Sequence, residues 1–458
     1  MIGAALLTTG STVTNEIDRL KRDAGYVFWV FAEQAVYLAL PRLLFFPLAA
    51  YIIGKEGFGL FSTAMSVTLI LGMQPQNGLA TGLLRHLSDY AEDRRPQFLA
   101  TSMRLSHIAM TIIVSLMAAG ALAWGMMGWT SWRVAHSMVP LVLALYPENQ
   151  FILALTEQRY LRQFRDKALW MAVRSVLIMI VGIAGALITR RFISPDAAVV
   201  GLSWGYLMGD VAAYAALRIR RNRWYRCPHS PEMTAVLKAV WFKITLAGVL
   251  TVSLPHINRL VLSYFHSYDA VADFVAATSV MFVFLAPIQC FGILILSLIS
   301  KYASLAEFSP RGKLYCLSML LMGAVVLPLV FHACGPILAR TLFPRFGPGP
   351  VALLPIVLWM IPAGTVFSVL SPFVLKFSPI RTIPMINAVT FIATVVPALT
   401  LIPRFASRGA AHAIIIGNAV SSLLFAAAFL SALTARRTPA RRPTHPMEPP
   451  EYLEHQNE

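Results

Sequence analysis

Charged side chains are scarce in this sequence of 458 residues. They make up 13% of the chain and hydrophobic residues 57%, whereas a soluble globular protein carries roughly 25% charged residues. This composition excludes a water-soluble fold of this size and predicts a polytopic membrane protein without a large soluble domain. Acidic residues are scarcer than basic ones, which gives a formal net charge of +17. In a membrane protein that excess first indicates basic residues kept on the cytoplasmic side, so we expect no nucleic-acid partner.

Motifs typical of enzymes and metal sites are missing as well. The sequence has no HExxH segment, no P-loop and no GxGxxG turn after a strand pattern, and its ten histidines do not cluster with carboxylates at ligand spacing. Its four cysteines form no CxxC pair, and we interpret them as small core residues. We therefore expect no metal, no cofactor and no enzymatic activity. Transport without an ATP site would draw on an ion gradient, the membrane potential or substrate mass action.

Apolar runs of about 20 residues, the length that crosses a bilayer as a helix, are abundant. Charges, prolines or glycines bound twelve of them: 28–53, 58–80, 103–127, 138–157, 168–188, 198–217, 244–265, 272–299, 315–340, 350–374, 382–402 and 410–433. The predicted fold class is therefore an all-α polytopic membrane protein with about 12 transmembrane helices.

The distribution of Lys and Arg predicts the topology. An even number of spans places both termini on one side of the membrane. Segments on that side hold 28 of the 38 basic residues, counting Lys167 and Arg174 around the start of the fifth span, and the alternate segments hold eight. The positive-inside rule then places both termini in the cytoplasm.

The longest internal loop divides the chain into two sets of six spans. We predict a cytoplasmic N-terminal segment (1–27), an N-terminal bundle (28–217), a basic cytoplasmic linker (218–243), a C-terminal bundle (244–433) and a disordered, proline-rich cytoplasmic tail (434–458). A weak repeat agrees with two related halves. Pro41 and Arg42 precede Phe58 by an interval similar to the one between Pro255 or Arg259 and Phe274. Parallel repeats of this kind are a known transporter plan.

Three segments resemble one known family. In PRLLFFPLAAYIIGKEGFGLFSTAMSVTLILGMQPQNGLATGLLRHLSDY (41–90) one span ends at Gly-x-x-Gly-Phe-Gly and the next closes at Gly-Leu before an Arg. In LIPRFASRGAAHAIIIGNAV (401–420) Gly-Ala-Ala opens the last span, and TLFPRFGPGPVALLPIVL (341–358) is similar to an outer loop before span ten. Together they resemble the polysaccharide-biosynthesis (O-antigen, Wzx-type) flippases of the multidrug/oligosaccharidyl-lipid/polysaccharide exporter superfamily, over roughly 24–434.

The resemblance implies two pseudo-symmetric six-helix bundles around a central cavity. In such proteins alternating access moves a polyprenyl-pyrophosphate-linked oligosaccharide across the bacterial inner membrane, for O-antigen, capsule or exopolysaccharide synthesis. Membrane lipids and polymerase or ligase proteins of the pathway are the implied partners. The sequence departs from the family in having Asn258 before Arg259, where many relatives have an Asp-Arg pair. It also has RFASRG in place of a commoner Lys/Arg-Tyr-Gly link before the last span.

Two arginines lie inside predicted spans, where an ionisable group costs about 2.5 kcal/mol or more unless it is paired or faces water. Arg42 follows Pro41, so span one is predicted to kink or break beside it. A guanidinium there could bind a pyrophosphate with its rigid fork of donors. Alternatively, it pairs with Glu33 or extends toward an interface.

Span seven carries a polar stripe. At about 100° per residue, His256, Arg259, Ser263 and His266 fall within an arc of roughly 80° that should face a cavity or another helix. Arg259, with His256 and Ser263, is therefore the second candidate for phosphate binding. Alternatively, His256 and His266 are hydrogen-bonded packing residues.

Three acids are candidates for ion coupling. Glu33 lies in span one, Glu148 in span four beside Pro147, and Asp210 in span six. As alternatives, Glu148 would pair with Arg42 or Arg174, and Asp210 would cap a helix or pair with the Arg218–Arg226 cluster.

Two other functions stay open. A drug/cation antiporter of the same superfamily would need an acidic cavity, which two embedded arginines disfavour. A membrane glycosyltransferase or polymerase would need a sizeable outer loop, and every predicted outer loop is short.

Overall fold

The computed structural model describes residues 27–72, 93–127, 132–160, 164–220, 230–299, 310–379 and 381–434, together with Gly25, 78–80, 83, 86, 90 and 227–228. The predicted N-terminal segment 1–27 and tail 434–458 lie almost entirely outside the described residues. Within the described residues the chain is helical and contains no strand.

Each of the twelve predicted spans corresponds to one helix, which confirms the predicted fold class. The helices are α1 (27–53), α2 (55–72), α3 (Arg95–Met126), α4 (Trp132–Tyr160), α5 (Phe164–Phe192), α6 (Ala198–Arg220), α7 (Pro231–Phe265), α8 (Tyr268–Ile299), α9 (310–342), α10 (Gly349–Val357 and Met360–Phe377), α11 (382–405) and α12 (407–434). Helix α7 begins inside the predicted linker, where the Ser230 hydroxyl accepts from the Met233 N–H and caps it. Hydropathy does not register such a polar extension of a span.

Two of the sharp turns between helices depend on left-handed backbone. Gly54 separates α1 from α2 with φ 76°, and Ala406 separates α11 from α12 with φ 48°. A Cβ in this region costs about 1–2 kcal/mol, so the RFASRG link carries strain that a glycine would relieve. The nearby Gly409 is required for a different reason, because a Cβ there would overlap the Leu401 carbonyl.

Helix α1 continues through Pro41. Ala35–Ala39 and Pro41–Phe45 form two π-helical turns, in which the Leu40 N–H donates to the Ala35 carbonyl and the Phe46 N–H to the Pro41 carbonyl. Proline lacks an N–H and its ring crowds the carbonyl four residues earlier, and a wider turn relieves both problems. The predicted kink or break thus takes the form of a bulge, and Arg42 lies in it.

In the N-terminal half, α6 packs closely along α5 and also contacts α4 and α2. Glycines make the α5–α6 contact possible. A Cβ on Gly201 would overlap the Gly185 carbonyl, and a Cβ on Gly205 would overlap the Val181 carbonyl. The two backbones therefore approach more closely than side chains would allow.

In the C-terminal half, α8 is the central helix. Val271, Phe274, Met281 and Ile288 are buried along its length. They pack into a cluster with the first segment of α10 and the start of α12. The N-terminal part of α7 instead packs on the N-terminal half, where Met233 and Leu237 join Leu79 and Leu83.

The two halves meet along α1 and α2 on one side and α7 and α8 on the other. At one end of the molecule Lys55 Nζ lies 2.9 Å from Asp273 Oδ2, and Phe58 packs against Phe346. A Cβ on Gly59 would overlap the Tyr268 carbonyl. We call Lys55, Phe58, Gly59, Asp273 and Phe346 the closure patch.

The outward-facing surface is apolar. On α3, Ile108, Ile112 and Leu116 are each more than half exposed. Eight stretches of the described residues are long and apolar enough to cross a membrane. Val27–Ile70 and Thr382–Leu433 each hold two helices, so these stretches account for all the helices except α6 and α7. The chain is a multi-pass membrane protein.

Candidate substrate and coupling site

The two embedded arginines lie at the interface between the halves. Arg42, on α1, stacks over the Phe282 ring of α8, with 4.3 Å between the guanidinium carbon and the ring centroid. Arg259, on α7, lies 3.5 Å from the Ser66 hydroxyl of α2. Both guanidinium groups are therefore held among α1, α2, α7 and α8. Two positive charges thus converge where the halves meet.

The two arginines are arranged reciprocally. Each comes from the first helix of its own half and contacts the second helix of the other half. Ser66 follows Arg42 by 24 residues and Phe282 follows Arg259 by 23, so the contacted positions correspond as well. The weak repeat seen in the sequence therefore appears in the structure as a pseudo-symmetric exchange of arginines.

Half of the predicted polar stripe of α7 faces α2. His256 Nδ1 lies 3.1 Å from the Ser66 hydroxyl, which is therefore shared by His256 and Arg259. Ser263 instead donates to the Leu260 carbonyl of its own helix, and His266 contacts the Ile402 carbonyl of α11 at 2.8 Å. The structure thus brings His256 and Arg259 together and leaves Ser263 apart from them.

Among the described residues, several buried polar atoms of α2 and α7 have no hydrogen-bond partner. Asn258 is fully buried and neither its amide nitrogen nor its amide oxygen is bonded. Arg259 Nε and the buried Ser62 hydroxyl are also without a partner. Each buried unsatisfied group costs about 1–3 kcal/mol. A bound ligand that supplies the missing hydrogen bonds would remove this cost.

A second charged cluster lies inside the N-terminal half. Arg174 of α5 contacts two carboxylates, Glu148 of α4 at 2.8 Å and Asp210 of α6 at 2.5 Å. All three side chains are buried. The alternative partner predicted for Glu148 is correct in its Arg174 form. Asp210 pairs with Arg174 as well, whereas residues 221–226 of the predicted Arg218–Arg226 cluster lie outside the described residues. Two carboxylates on one guanidinium leave an excess negative charge unless a proton is held.

Glu33 is balanced differently. Its Oε1 lies 2.6 Å from Lys167 Nζ of α5, and both side chains are buried. The predicted alternative of a Glu33–Arg42 pair is therefore not what the structure shows. Tyr37 lies in the first π turn, on the same helix as Glu33 and Arg42.

Sequence reasoning missed Lys167 and Ser66, and it named Arg174 only as an alternative partner of Glu148. Lys167 and Arg174 were counted as cytoplasmic loop residues, but both are buried in the bundle. The position of Arg174 inside the predicted span 168–188 was a usable signal. Ser66 gave none, because a serine in an apolar span most often bonds its own helix, as Ser66 also does to Ser62.

The described part of the chain contains no cluster of three His, Cys, Asp or Glu side chains that could hold a metal. Glu148 and Asp210 both contact Arg174. What the arrangement offers chemically is a pair of cations for an anionic group and a carboxylate pair able to hold a proton.

Fold and site together define a class: a multi-pass helical membrane protein with two related halves and charged groups buried where the halves meet. Residues 28–289, more than half of the chain, match the model of the family described as polysaccharide biosynthesis protein. The chain belongs to that family, as the sequence resemblance predicted. No curated protein sequence is significantly similar to it.

Solved structures confirm the fold. The lipid II flippase MurJ, in an inward closed conformation, superposes with TM-score 0.66 at 11% identity and 89% coverage of both chains. An inward-facing MATE multidrug resistance transporter of the MOP superfamily gives TM-score 0.67 at 14% identity, covering 89% of this chain and 96% of its own. A MOP superfamily transporter from Pyrococcus furiosus gives 0.66 at 13% identity, covering 90% and 96%.

Proposed function

We propose that this protein is a flippase that moves a polyprenyl-pyrophosphate-linked oligosaccharide across the bacterial inner membrane for surface polysaccharide synthesis. Its family and a fold similar to that of a lipid II flippase support this proposal. The observation that carries it is the reciprocal pair Arg42 and Arg259 at the interface between the halves.

A pyrophosphate matches this pair chemically. Two guanidinium groups are stabilised by an anion with several oxygens between them, and each offers a planar fork of donors to phosphate. The unbonded Arg259 Nε and the Asn258 and Ser62 polar atoms are further donors or acceptors for the phosphate or the first sugar. His256 would hold Ser66 in place beside Arg259, while Ser263 would take no part.

The predicted topology completes the proposal. Residues 28–217 and 244–433 would rock against each other as two bundles. The segment 1–27, the linker 218–243 and the tail 434–458 would face the cytoplasm, where the lipid-linked glycan is made. Polymerase or ligase proteins of the pathway would receive the product on the outer side.

Replacing both arginines tests the proposal. In a host lacking its own flippase for the same polysaccharide, we expect R42A/R259A to reduce surface polysaccharide at least ten-fold at equal membrane abundance. Purified protein should also lose affinity for undecaprenyl pyrophosphate. Immunoblotting of the polysaccharide and a binding titration are the two measurements.

R220Q/R381Q is the matched control, since it removes two exposed arginines elsewhere in the chain. It should support normal polysaccharide export. The conservative R42K/R259K variant should keep part of the activity, because charge remains but the planar fork is lost. Full export by R42A/R259A would refute the arginine assignment.

We further propose that Glu148 and Asp210 couple transport to a proton. Their shared Arg174 leaves one negative charge in excess, which a proton can neutralise. Glu33 is a weaker candidate, because Lys167 already balances it one to one.

One observation favours a cation antiporter as a second candidate, namely the same excess of buried carboxylate. Arg174 lies between the two acids, however, and the interface carries two more arginines, which would repel a cationic drug. If the expressed protein lowered cellular ethidium and D210N abolished that effect, the antiporter would replace the flippase.

A further inference from the structure

A polar pocket opens in the N-terminal half. It has a volume of about 180 Å³ and lies between α3, α4 and α6. Its polar lining consists of Arg104, His107, Tyr146, Gln150, Tyr214 and Arg218. None of the proposed substrate or coupling residues lines it, so its polar side chains need an explanation of their own.

The pocket is strongly basic. Arg104 and Arg218 contribute two positive charges, and no acidic side chain is among its lining residues. Arg104 donates one hydrogen bond to the Cys227 carbonyl at 2.9 Å, out of the five N–H groups of a guanidinium. His107 Nδ1 bonds the Tyr146 hydroxyl at 2.5 Å and fixes both rings at the pocket wall. The charge selects an anion.

Gln150 supplies an independent sign of a ligand. The residue lines the pocket and is 1% exposed, and its Nε2 has no hydrogen-bond partner among the described residues. Leaving a buried amide donor unsatisfied costs about 1–3 kcal/mol. An acceptor oxygen in the pocket would remove that cost.

The position of the pocket fits a lipid. It lies toward the start of α3 and the end of α6, at the end of the molecule opposite the closure patch and next to the basic linker. Beyond it, the exposed Ile108 and Ile112 of α3 and Met208 and Val211 of α6 form an apolar surface. Ile112 lies about 7.5 Å farther along the helix than His107, the direction acyl chains would take from a headgroup in the pocket.

We propose that this pocket binds the phosphate headgroup of an anionic phospholipid. Arg104 and Arg218 neutralise the phosphate, the Gln150 amide donates to one of its oxygens, and the acyl chains lie on the apolar faces of α3 and α6. Anionic lipids are enriched in the cytoplasmic leaflet, and basic pockets between membrane helices on that side suit their headgroups. The site is separate from the proposed substrate site and does not depend on it.

Short-chain lipids test the site on the purified full-length protein in a neutral detergent. We expect dihexanoyl phosphatidylglycerol to bind at least five-fold more tightly than dihexanoyl phosphatidylcholine. Binding is measured from the shift of the thermal unfolding midpoint with lipid concentration. R104Q/R218Q should reduce that preference to less than two-fold. The control R220Q/R381Q removes the same charge outside the pocket and should keep the preference.

Q150L gives a second readout that does not depend on the arginines. Replacing an unsatisfied buried amide by an apolar side chain of similar size should keep or raise the unfolding midpoint without lipid while weakening phosphatidylglycerol binding about three-fold. Equal binding of the two lipids, or an unchanged preference in R104Q/R218Q, would overturn the proposal. So would inorganic phosphate binding as tightly as the lipid, which marks a bare-anion site, or geranyl pyrophosphate binding more tightly, which marks a substrate site.

Discussion

At the scale of single residues, the buried cluster of Arg174, Glu148 and Asp210 carries the largest energetic consequence. Burying a charge is costly, and the cost is offset only when partners and hydrogen bonds are complete. Arg174 satisfies two carboxylates from two other helices, so it joins α4, α5 and α6 at one point. Removing it leaves two like charges facing each other in the interior.

We therefore expect R174M to lower the free energy of unfolding by about 3 kcal/mol or more, the range for breaking a buried ion pair. D210N should cost less, because it leaves Arg174 and Glu148 balanced one to one and keeps an acceptor oxygen. Titration with sodium dodecyl sulfate in bicelles measures both. R133M is the control, since the Arg133–Asp196 pair is solvent-exposed and such pairs contribute about 1 kcal/mol at most.

If D210N lowered the free energy of unfolding as much as R174M does, the cluster would not carry an excess negative charge. If D210N stays folded, the proposed coupling role has its own readout. The pH dependence of transport should flatten in this variant, which a purely structural role of Asp210 would not cause.

At the scale of helices, the contact between α5 and α6 is built from backbone. Gly201, Gly205 and Gly209 recur every four residues on one face of α6. Cβ atoms at these positions would overlap atoms of α5. The spacing was readable in the sequence as a small-residue stripe, but it did not say which helix lies against it.

We expect G205L to separate α5 from α6 and to reduce the yield of folded, monodisperse protein at least five-fold. The Cβ alone would overlap the Val181 carbonyl, and overpacking of this kind typically costs about 1–3 kcal/mol or more. Size-exclusion chromatography and the thermal unfolding midpoint are the measurements.

G120L is the matched control on α3. Gly120 is exposed and a Cβ there meets nothing within 4 Å. This variant should purify like the parent protein. Equal behaviour of G205L and G120L would mean that the close approach of α5 and α6 is not required for folding.

At the scale of the whole molecule, the closure patch is the part that the proposed alternating access would have to open. Lys55 and Asp273 come from opposite halves and are only partly exposed. Below them on α2 lie Ser62 and then Ser66, the residue that contacts Arg259. Opening the patch would expose this path from the outer side.

We expect D273A to raise the labelling rate of S62C at least five-fold with a membrane-impermeant thiol reagent added from outside. The background carries serine at Cys227, Cys290, Cys316 and Cys334 so that S62C is the sole thiol. D196A is the control, because it removes an acid whose partner Arg133 belongs to the same half. Equal labelling in D273A and D196A would show that the Lys55–Asp273 contact does not keep the outer end closed.

The membrane class and the twelve helices followed from the sequence, as did the two arginines inside the spans. A run of about 20 apolar residues is a local property, and an arginine inside such a run stands out against it. The sequence assigned most of the basic excess to the predicted topology, whereas Lys167 and Arg174 show that some of it belongs to buried ion pairs.

What only the tertiary structure decided is which groups meet. Hydropathy places Glu33, Glu148 and Asp210 in separate spans. It contains no information on the contacts that Lys167 and Arg174 of α5 make with them. Nor can it tell that Arg42 and Arg259 each cross to the opposite half. Pairing depends on how the helices rotate and pack against one another. Glu33 and Lys167 are 134 positions apart, so no local sequence pattern indicates that they are in contact.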